Sequence, residues 1–152
     1  MDSHMPSINM KIGNTCLISV KIESMIKRQV LDLKVYANLF MLFDTGASVT
    51  GISKSFLESC GYSNFIKGTK KRQTANGIIN PEQVIVKSFQ VEKFQPRDEW
   101  VVDVYTTEFI GFHGILGMDF ISTLETWISA SERKIVLSGT KSNLKQIMME
   151  TK

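Results

Sequence analysis

Leu42-Phe43-Asp44-Thr45-Gly46-Ala47-Ser48 decides how the rest of the chain is interpreted. The apolar run over residues 39–43 ends in an acid, a hydroxyl residue and a glycine. This order predicts a buried strand that enters a tight turn with a carboxylate at its mouth. Gly46 has no Cβ, so backbone and ligand could approach closely there. The triplet is short enough to occur by chance, and an ordinary strand-terminating turn remains its alternative interpretation.

The composition predicts one globular domain without nucleic-acid partners. The chain has 152 residues, of which 43% are hydrophobic and 22% are charged, and its net charge is only +3. The one basic cluster consists of Lys67, Lys70, Lys71 and Arg72, and it lacks interleaved aromatic residues. We interpret it as a solvated loop, with a phosphate-binding patch as the alternative.

Cysteine and histidine usage predicts no metal site, no cofactor and no disulfide. Cys16 and Cys60 are far apart, which is typical of reduced thiols and indicates a cytoplasmic location. His4 falls in residues 1–5, which look like the remnant of an affinity tag, and His113 is expected in a loop beside the pocket. No apolar run reaches the length of a membrane span and no signal peptide is visible, although a natural leader or anchor could have been removed.

The first half of the chain predicts strands followed by one helix. Alternating apolar residues over 7–23 indicate a hairpin or the first strands of a barrel, and residues 29–34 indicate another strand. Tyr36-Ala37-Asn38 is expected to be a turn. Residues 53–61 predict a helix capped by Ser53 and ended by Gly61, with Cys60 on its apolar face as a core residue and not a nucleophile.

The second half predicts a long hairpin over residues 70–89, because Asn76-Gly77 is a strong hairpin-turn dipeptide. Strands are expected over residues 84–91 and 100–105, and a strand pair over 126–129 and 134–137. Between them, Gly114-Ile115-Leu116-Gly117-Met118-Asp119-Phe120-Ile121 predicts a strand, a close-packed glycine and a short amphipathic helix.

Two motifs in this order resemble the retropepsin-like aspartic proteases. The first is Phe43-Asp44-Thr45-Gly46-Ala47-Ser48, the second is Ile115-Leu116-Gly117-Met118-Asp119-Phe120-Ile121, and the hairpin Thr74-Ala75-Asn76-Gly77 lies between them. The resemblance covers residues 28–138. It is closer to bacterial and ubiquitin-shuttle members than to retroviral proteases, which usually have an arginine where this chain has Met118. The retroviral proteases also have an acid at the position of Ser48. The ion-pair network that these groups form near the dimer interface is therefore not carried over to this chain.

The resemblance implies an all-β fold, a closed acid-protease barrel lobe with one or two short helices. The implied domain spans residues 28–140, preceded by extra strands or a pro-segment over 6–27. A tail over 141–152 follows it, and the apolar stripe of that tail is compatible with a helix. Proteolysis of this type needs two carboxylates around one water. Only one Asp-Thr-Gly triplet is present and Asp119 belongs to the helix motif, so a homodimer is implied.

In the family pattern Asp44 is the catalytic residue, Thr45 braces the two loops and Gly46 accepts the substrate backbone. An extended peptide would contact the remaining predicted site residues, which are Ala47, Ser48, Ala75, Asn76, Gly77, Ile78, Ile115 and Leu116. Two alternatives remain. One is a dimerising or peptide-binding module with little or no catalytic activity, and the other is an unrelated small β-barrel.

Overall fold

The computed structural model describes residues 7–9, 16–26, 33–68, 71–74, 77–129, 131–132 and 134–139. Within these ranges the chain is mostly β-strand with two short helices, as predicted. The helices are α1 (Lys54–Ser59) and α2 (Met118–Ile121). The strands are β1 (Ser7–Asn9), β2 (Leu17–Ser24), β3 (Val35–Phe43), β4 (Gly51–Ser53), β5 (Ile66–Lys67), β6 (Arg72–Thr74), β7 (Gly77–Ile79), β8 (Glu82–Lys87), β9 (Gln90–Val91), β10 (Glu99–Tyr105), β11 (Gly114–Leu116), β12 (Glu125–Ser129) and β13 (Lys134–Ser138).

The strands form three sheets. The main sheet has eight strands in the order β5-β8-β10-β4-β11-β3-β2-β9. A second sheet has the order β1-β13-β12, and β6 and β7 form a separate two-stranded hairpin. Among the described residues no pairing joins the two ends of the main sheet, so the predicted closure of the barrel stays a prediction.

The main sheet contains two parallel pairs, β10 with β4 and β11 with β3, and the second pair brings the two sequence motifs together. β11 pairs in parallel with β3 and antiparallel with β4, so it inserts between two strands that are neighbours in sequence. This insertion needs close backbone contact, because a Cβ on Gly114 would lie 2.3 Å from the carbonyl oxygen of Gly51. The end of β3, which carries Asp44, is therefore held beside the end of β11.

The core lies under the alternating faces of the longest strands. β2 buries Ile18, Val20 and Ile22, and β10 buries Trp100, which packs against aromatic rings from two other segments. Cys60 belongs to this core with 5% exposure, and burial raises the pKa of its thiol. The prediction that Cys60 is a core residue is confirmed.

The structure corrects several sequence-based predictions. Tyr36-Ala37-Asn38 is no turn, because β3 runs unbroken through it and pairs along the whole of β2. β1 does not form a hairpin with β2; it pairs with β13. In both cases hydrogen-bonded pairing between strands outweighs the local conformational preference of the residues.

Two smaller predictions also change. The expected strand over residues 84–91 is two strands, since Ser88 has a φ of 55° and separates β8 from β9. Ser53 precedes α1 but its side chain makes no capping hydrogen bond, whereas Gly61 has the predicted positive φ of 86°. The predicted C-terminal helix lies outside the described residues. None of the helices in the described ranges is long and apolar enough to cross a membrane.

Candidate active site

Asp44 stands at the mouth of a turn that is fixed at both ends by backbone hydrogen bonds. Its N–H donates to the Leu116 carbonyl at 3.1 Å, which ties the end of β3 to the end of β11. Its carboxylate Oδ1 accepts a hydrogen bond from the Gly46 N–H at 2.8 Å. The side chain is half-buried, and Oδ2 has no partner among the described residues. One carboxylate oxygen is thus held in place and the other is available for chemistry.

Behind this turn, Asp119 of α2 joins the two motifs through a dense set of hydrogen bonds. Its Oδ1 accepts from the backbone N–H and the hydroxyl of Thr50, at 2.9 and 2.7 Å. Its Oδ2 accepts from the indole N–H of Trp100 at 3.1 Å. The Thr50 hydroxyl in turn accepts from the Gly117 N–H at 3.0 Å. Asp119 therefore supports the turn from behind and does not face the space in front of Asp44.

The carboxylate of Asp44 opens into a cavity of about 350 Å³. Its walls combine the turn, the start of the β6–β7 hairpin and the ends of β10 and β11. The lining residues are Asp44, Gly46, Ala47, Ser48, Val49, Arg72, Gln73, Asp103, Tyr105 and Ile115. A pocket formed by segments so far apart in sequence suits a ligand that crosses several strands.

A larger cavity of about 560 Å³ shares no residue with the first and has no acidic side chain in its lining. Tyr62, Ile85 and Val101 are among its mostly apolar walls. Chemistry that needs a carboxylate is therefore assigned to the smaller cavity.

The smaller cavity contains a buried ion pair. Arg72 donates from Nε to Oδ2 of Asp103 at 3.0 Å, and the two side chains are 17% and 1% exposed. Oδ1 of Asp103 accepts from the Gln83 amide at 3.1 Å. Both oxygens of Asp103 are therefore occupied, so a second carboxylate lies in the cavity but has no free oxygen for a ligand.

Tyr105 forms another part of the wall beside the β4 backbone. Its ring covers Gly51 so closely that a Cβ there would lie 2.1 Å from the ring. Burial, and next the neighbouring Asp103 carboxylate, raise the pKa of the Tyr105 hydroxyl. The hydroxyl therefore stays protonated and can donate a hydrogen bond.

The predicted site residues separate into three groups. Asp44, Gly46, Ala47, Ser48 and Ile115 lie together around the cavity. Three others lie elsewhere: the Leu116 side chain is in the core, Thr45 is exposed on the turn, and Ile78 is 66% exposed on the hairpin. Gly77 has a φ of 116° at the start of β7, and the predictions for Ala75 and Asn76 fall outside the described residues.

Several cavity residues escaped the sequence analysis. Arg72 was assigned to a solvated loop, yet its side chain is mostly buried in the ion pair. The signal that could have found this pair was Asp103, an acid flanked by valines in the apolar strand β10. His113 packs its ring 4.6 Å from that of Phe56 and is not part of the cavity lining. No group of three or more His, Cys, Asp or Glu side chains in the described ranges could hold a metal ion.

Comparisons with known proteins agree with this geometry. Residues 37–123 match a family model described as "gag-polyprotein putative aspartyl protease". The fold is similar to the crystal structure of a retropepsin-like aspartic protease from Rickettsia conorii, with a TM-score of 0.60 and 17% sequence identity. That similarity covers 88% of this chain and 89% of the other. No curated protein matches the sequence.

Proposed function

Because the chain belongs to the family of gag-polyprotein aspartyl proteases and has the retropepsin-like fold, we propose that it is a homodimeric aspartic endopeptidase. In this proposal the Asp44 carboxylates of two subunits hold one water and hydrolyse a peptide bond of an extended substrate. The observation that carries the proposal is the position of Asp44, anchored through one oxygen at the mouth of a cavity.

The proposal includes a second subunit because, in the part of the chain that the structure describes, Asp44 is the one acid lining the cavity with an unoccupied carboxylate oxygen. Asp103 is the other acid that lines the cavity, but Arg72 and Gln83 occupy its two oxygens. Asp119 is bound to Thr50 and Trp100 behind the turn. Two-fold symmetry would place a second Asp44 next to the first, since an isologous contact repeats the same residues on both sides of the axis.

The proposed reaction requires the two Asp44 carboxyl groups to share one proton, because two close like charges cannot both ionise readily. The ionised carboxylate removes a proton from the water, whose oxygen attacks the peptide carbonyl carbon. The protonated carboxyl donates its proton to the carbonyl oxygen. The carboxyl that took the proton from the water passes it to the nitrogen of the tetrahedral intermediate, the C–N bond breaks and the amine leaves. A hydroxyl of the intermediate returns its proton to the other carboxylate, which yields the carboxylic acid product and restores the shared proton.

The turn provides rigidity for this chemistry. The Gly46 N–H holds Oδ1 of Asp44, and the Ala47 N–H donates to the Asp44 carbonyl at 3.2 Å. The Ala47 carbonyl then accepts from the Met118 N–H at 2.7 Å, which connects the turn to α2. A carboxylate fixed in this way pays little reorganisation free energy when the water binds.

The surface of the second sheet supports the proposal of a dimer. β12 carries Trp127 and Ile128, which are 58% and 53% exposed in the single chain. Thr45 is exposed on the catalytic turn itself. Because successive strand residues point to opposite faces, each face of β12 exposes one large apolar side chain, which supports the proposal that a second subunit covers this strand.

The hairpin of β6 and β7 is proposed as a flap that closes over the substrate. Gly77→Val is expected to lower kcat/KM about tenfold or more, because valine at a φ of 116° is strained by about 1–3 kcal/mol and the hairpin would change its path. The melting temperature should fall by only a few degrees, because no atom lies within 4 Å of a Cβ at this position and a steric clash does not add to the backbone strain. Kinetics and thermal denaturation of the same preparation measure both effects.

The matched control for the flap is Ile66→Val, which places the same residue at a 72% exposed position on β5, outside the flap hairpin and outside the lining of the Asp44 cavity. Its kinetics should equal those of the wild type. Unchanged kinetics for Gly77→Val as well would remove the flap assignment from this hairpin.

The test of the proposed function is subunit mixing. Wild-type protein is combined with an equal amount of Asp44→Asn protein at a concentration where sedimentation shows dimers. If both subunits contribute Asp44, random exchange lowers the activity per wild-type subunit to about half, because half of the wild-type subunits then lie in mixed dimers that have one Asp44 carboxylate. On dilution below the dimer dissociation constant, specific activity should also fall.

The control for mixing combines wild-type protein with an equal amount of bovine serum albumin. This addition should leave the activity per wild-type subunit unchanged. Undiminished activity after full subunit exchange, or a fully active monomer, would contradict the shared site. Peptide binding without hydrolysis at any pH, from a confirmed dimer, would favour a peptide-binding module.

A further inference from the structure

The wall of the cavity formed by Arg72, Asp103 and Tyr105 has no part in the proposed proton transfers. These residues come from β6 and β10, and they line the same cavity as Asp44. Polar groups in such a wall contribute to affinity only if a ligand satisfies them, so their hydrogen-bonding capacity indicates what the cavity accepts.

Arg72 has donors left over. A guanidinium group carries five N–H donors, and the ion pair with Asp103 uses the one on Nε. The two terminal nitrogens have no partner among the described residues, although the side chain is only 17% exposed. A ligand that enters the cavity can therefore receive hydrogen bonds from Arg72.

Asp103 holds the guanidinium group in place without competing for the ligand. It is 1% exposed, its oxygens accept from Arg72 and Gln83, and its backbone N–H donates to the Thr50 carbonyl at 2.9 Å. An arginine fixed by a buried acid loses little side-chain entropy when it binds a ligand. The arginine is thus preorganised.

Tyr105 adds a further donor to the same wall. Its hydroxyl has no hydrogen-bond partner among the described residues, and it stays protonated as described above. Each oxygen of Asp103 already accepts a hydrogen bond, so this part of the cavity offers the donors of Arg72 and a Tyr105 hydroxyl that can both donate and accept.

We propose that Arg72 and Tyr105 determine substrate specificity by forming a subsite for a side chain that ends in a carboxamide, asparagine or glutamine. The inference rests on the proposed protease function. A carboxamide oxygen can accept from both groups. A carboxylate is disfavoured, because Asp103 already neutralises Arg72 and the pair of Asp44 residues carries a negative charge in the proposed mechanism.

The test compares peptide libraries in which each position beside the cleaved bond is glutamine, glutamate or leucine. Wild type should cleave the glutamine series at one position about tenfold faster in kcat/KM than the leucine series, which is the contribution of one or two hydrogen bonds. Glutamate should lie below glutamine. Equal rates or a preference for leucine at every position would overturn the proposal.

The decisive variant is the double replacement Arg72→Met with Asp103→Leu. Both partners are removed together, because deleting Arg72 alone would leave a buried unpaired charge, whereas an apolar pair of similar volume is often tolerated. The preference for glutamine over leucine should disappear or reverse. Tyr105→Phe removes only the hydroxyl and should reduce the same ratio.

The matched control is Lys54→Met, which removes a more exposed ion pair, 3.1 Å from Glu82, whose residues do not line the cavity. Its glutamine-to-leucine ratio should equal that of the wild type. A double variant that keeps the full preference would overturn the proposal.

A binding experiment distinguishes failure of this inference from failure of the proposed function. The same libraries are passed over immobilised Asp44→Asn protein, and retained peptides are identified by mass spectrometry. If the wild type cleaves nothing, enrichment of glutamine over leucine still supports the subsite while counting against the protease. Equal retention, or no retention of any peptide, overturns the subsite.

Discussion

Asp44→Asn is expected to abolish peptide cleavage while the fold and the dimer persist. The amide has the size of the carboxylate, and its oxygen can still accept the hydrogen bond that the Gly46 N–H donates at 2.8 Å. What disappears is the group that can take and return a proton. Because the proposed dimer uses this residue twice, the rate should fall by about 10⁴-fold or more.

The measurement is the cleavage rate of an extended, apolar-flanked peptide in mildly acidic buffer, with the dimer verified by sedimentation. Asp98→Asn is the matched control, since it makes the same chemical change on an exposed loop residue and should leave the rate unaltered. A pepstatin-type inhibitor should stop cleavage by the wild type and by this control. Retained proteolysis by pure Asp44→Asn protein would contradict the catalytic assignment.

Asp119→Ala is expected to cause the largest loss of stability, about 3–5 kcal/mol in the free energy of unfolding. The substitution removes the carboxylate that accepts hydrogen bonds from Thr50 and Trp100, which are 0% and 2% exposed. Their donors would then be buried without partners, and each such donor costs about 1–3 kcal/mol. The turn at Asp44 should lose its support at the same time.

Urea denaturation followed by circular dichroism measures this loss. Asp119→Asn is the graded control, because its oxygen can still accept from Thr50 while its amide nitrogen faces the indole N–H of Trp100 as a second donor. Its loss should therefore be smaller, about 1–3 kcal/mol. An alanine variant within about 1 kcal/mol of the wild type would show that the hydrogen bonds of Asp119 are dispensable.

Much of the fold could be predicted because it follows from local patterns of apolar residues and from their spacing along the chain. The apolar alternation of β2 and β10 reflects which face of each strand is buried. The short helices follow from the apolar spacing around Leu57 and Phe120. The turn at Asp44 is also local, since a strand, an acid and a glycine are adjacent in the chain.

Some strand pairings could not be predicted, because the partner of a strand is often a segment that is distant in sequence and becomes its neighbour only in the folded chain. Tyr36-Ala37-Asn38 has the composition of a turn, but Glu23, Ile22 and Lys21 of β2 pair with it residue by residue. The same reason explains β1, whose partner Ile135 lies at the other end of the chain. Backbone groups must find partners, and the nearest available strand overrides weak local propensities.

The amino-acid sequence by itself determined that this protein has one Asp-Thr-Gly turn and an aliphatic-glycine motif to pack beneath it. Only the tertiary structure decided which side chains share the cavity with Asp44. Arg72 and Asp103 lie 31 positions apart, and each looks solvated or isolated in sequence, yet they form a buried ion pair. Charged groups are stable in the interior only when paired, and such pairing depends on the folded positions of both partners.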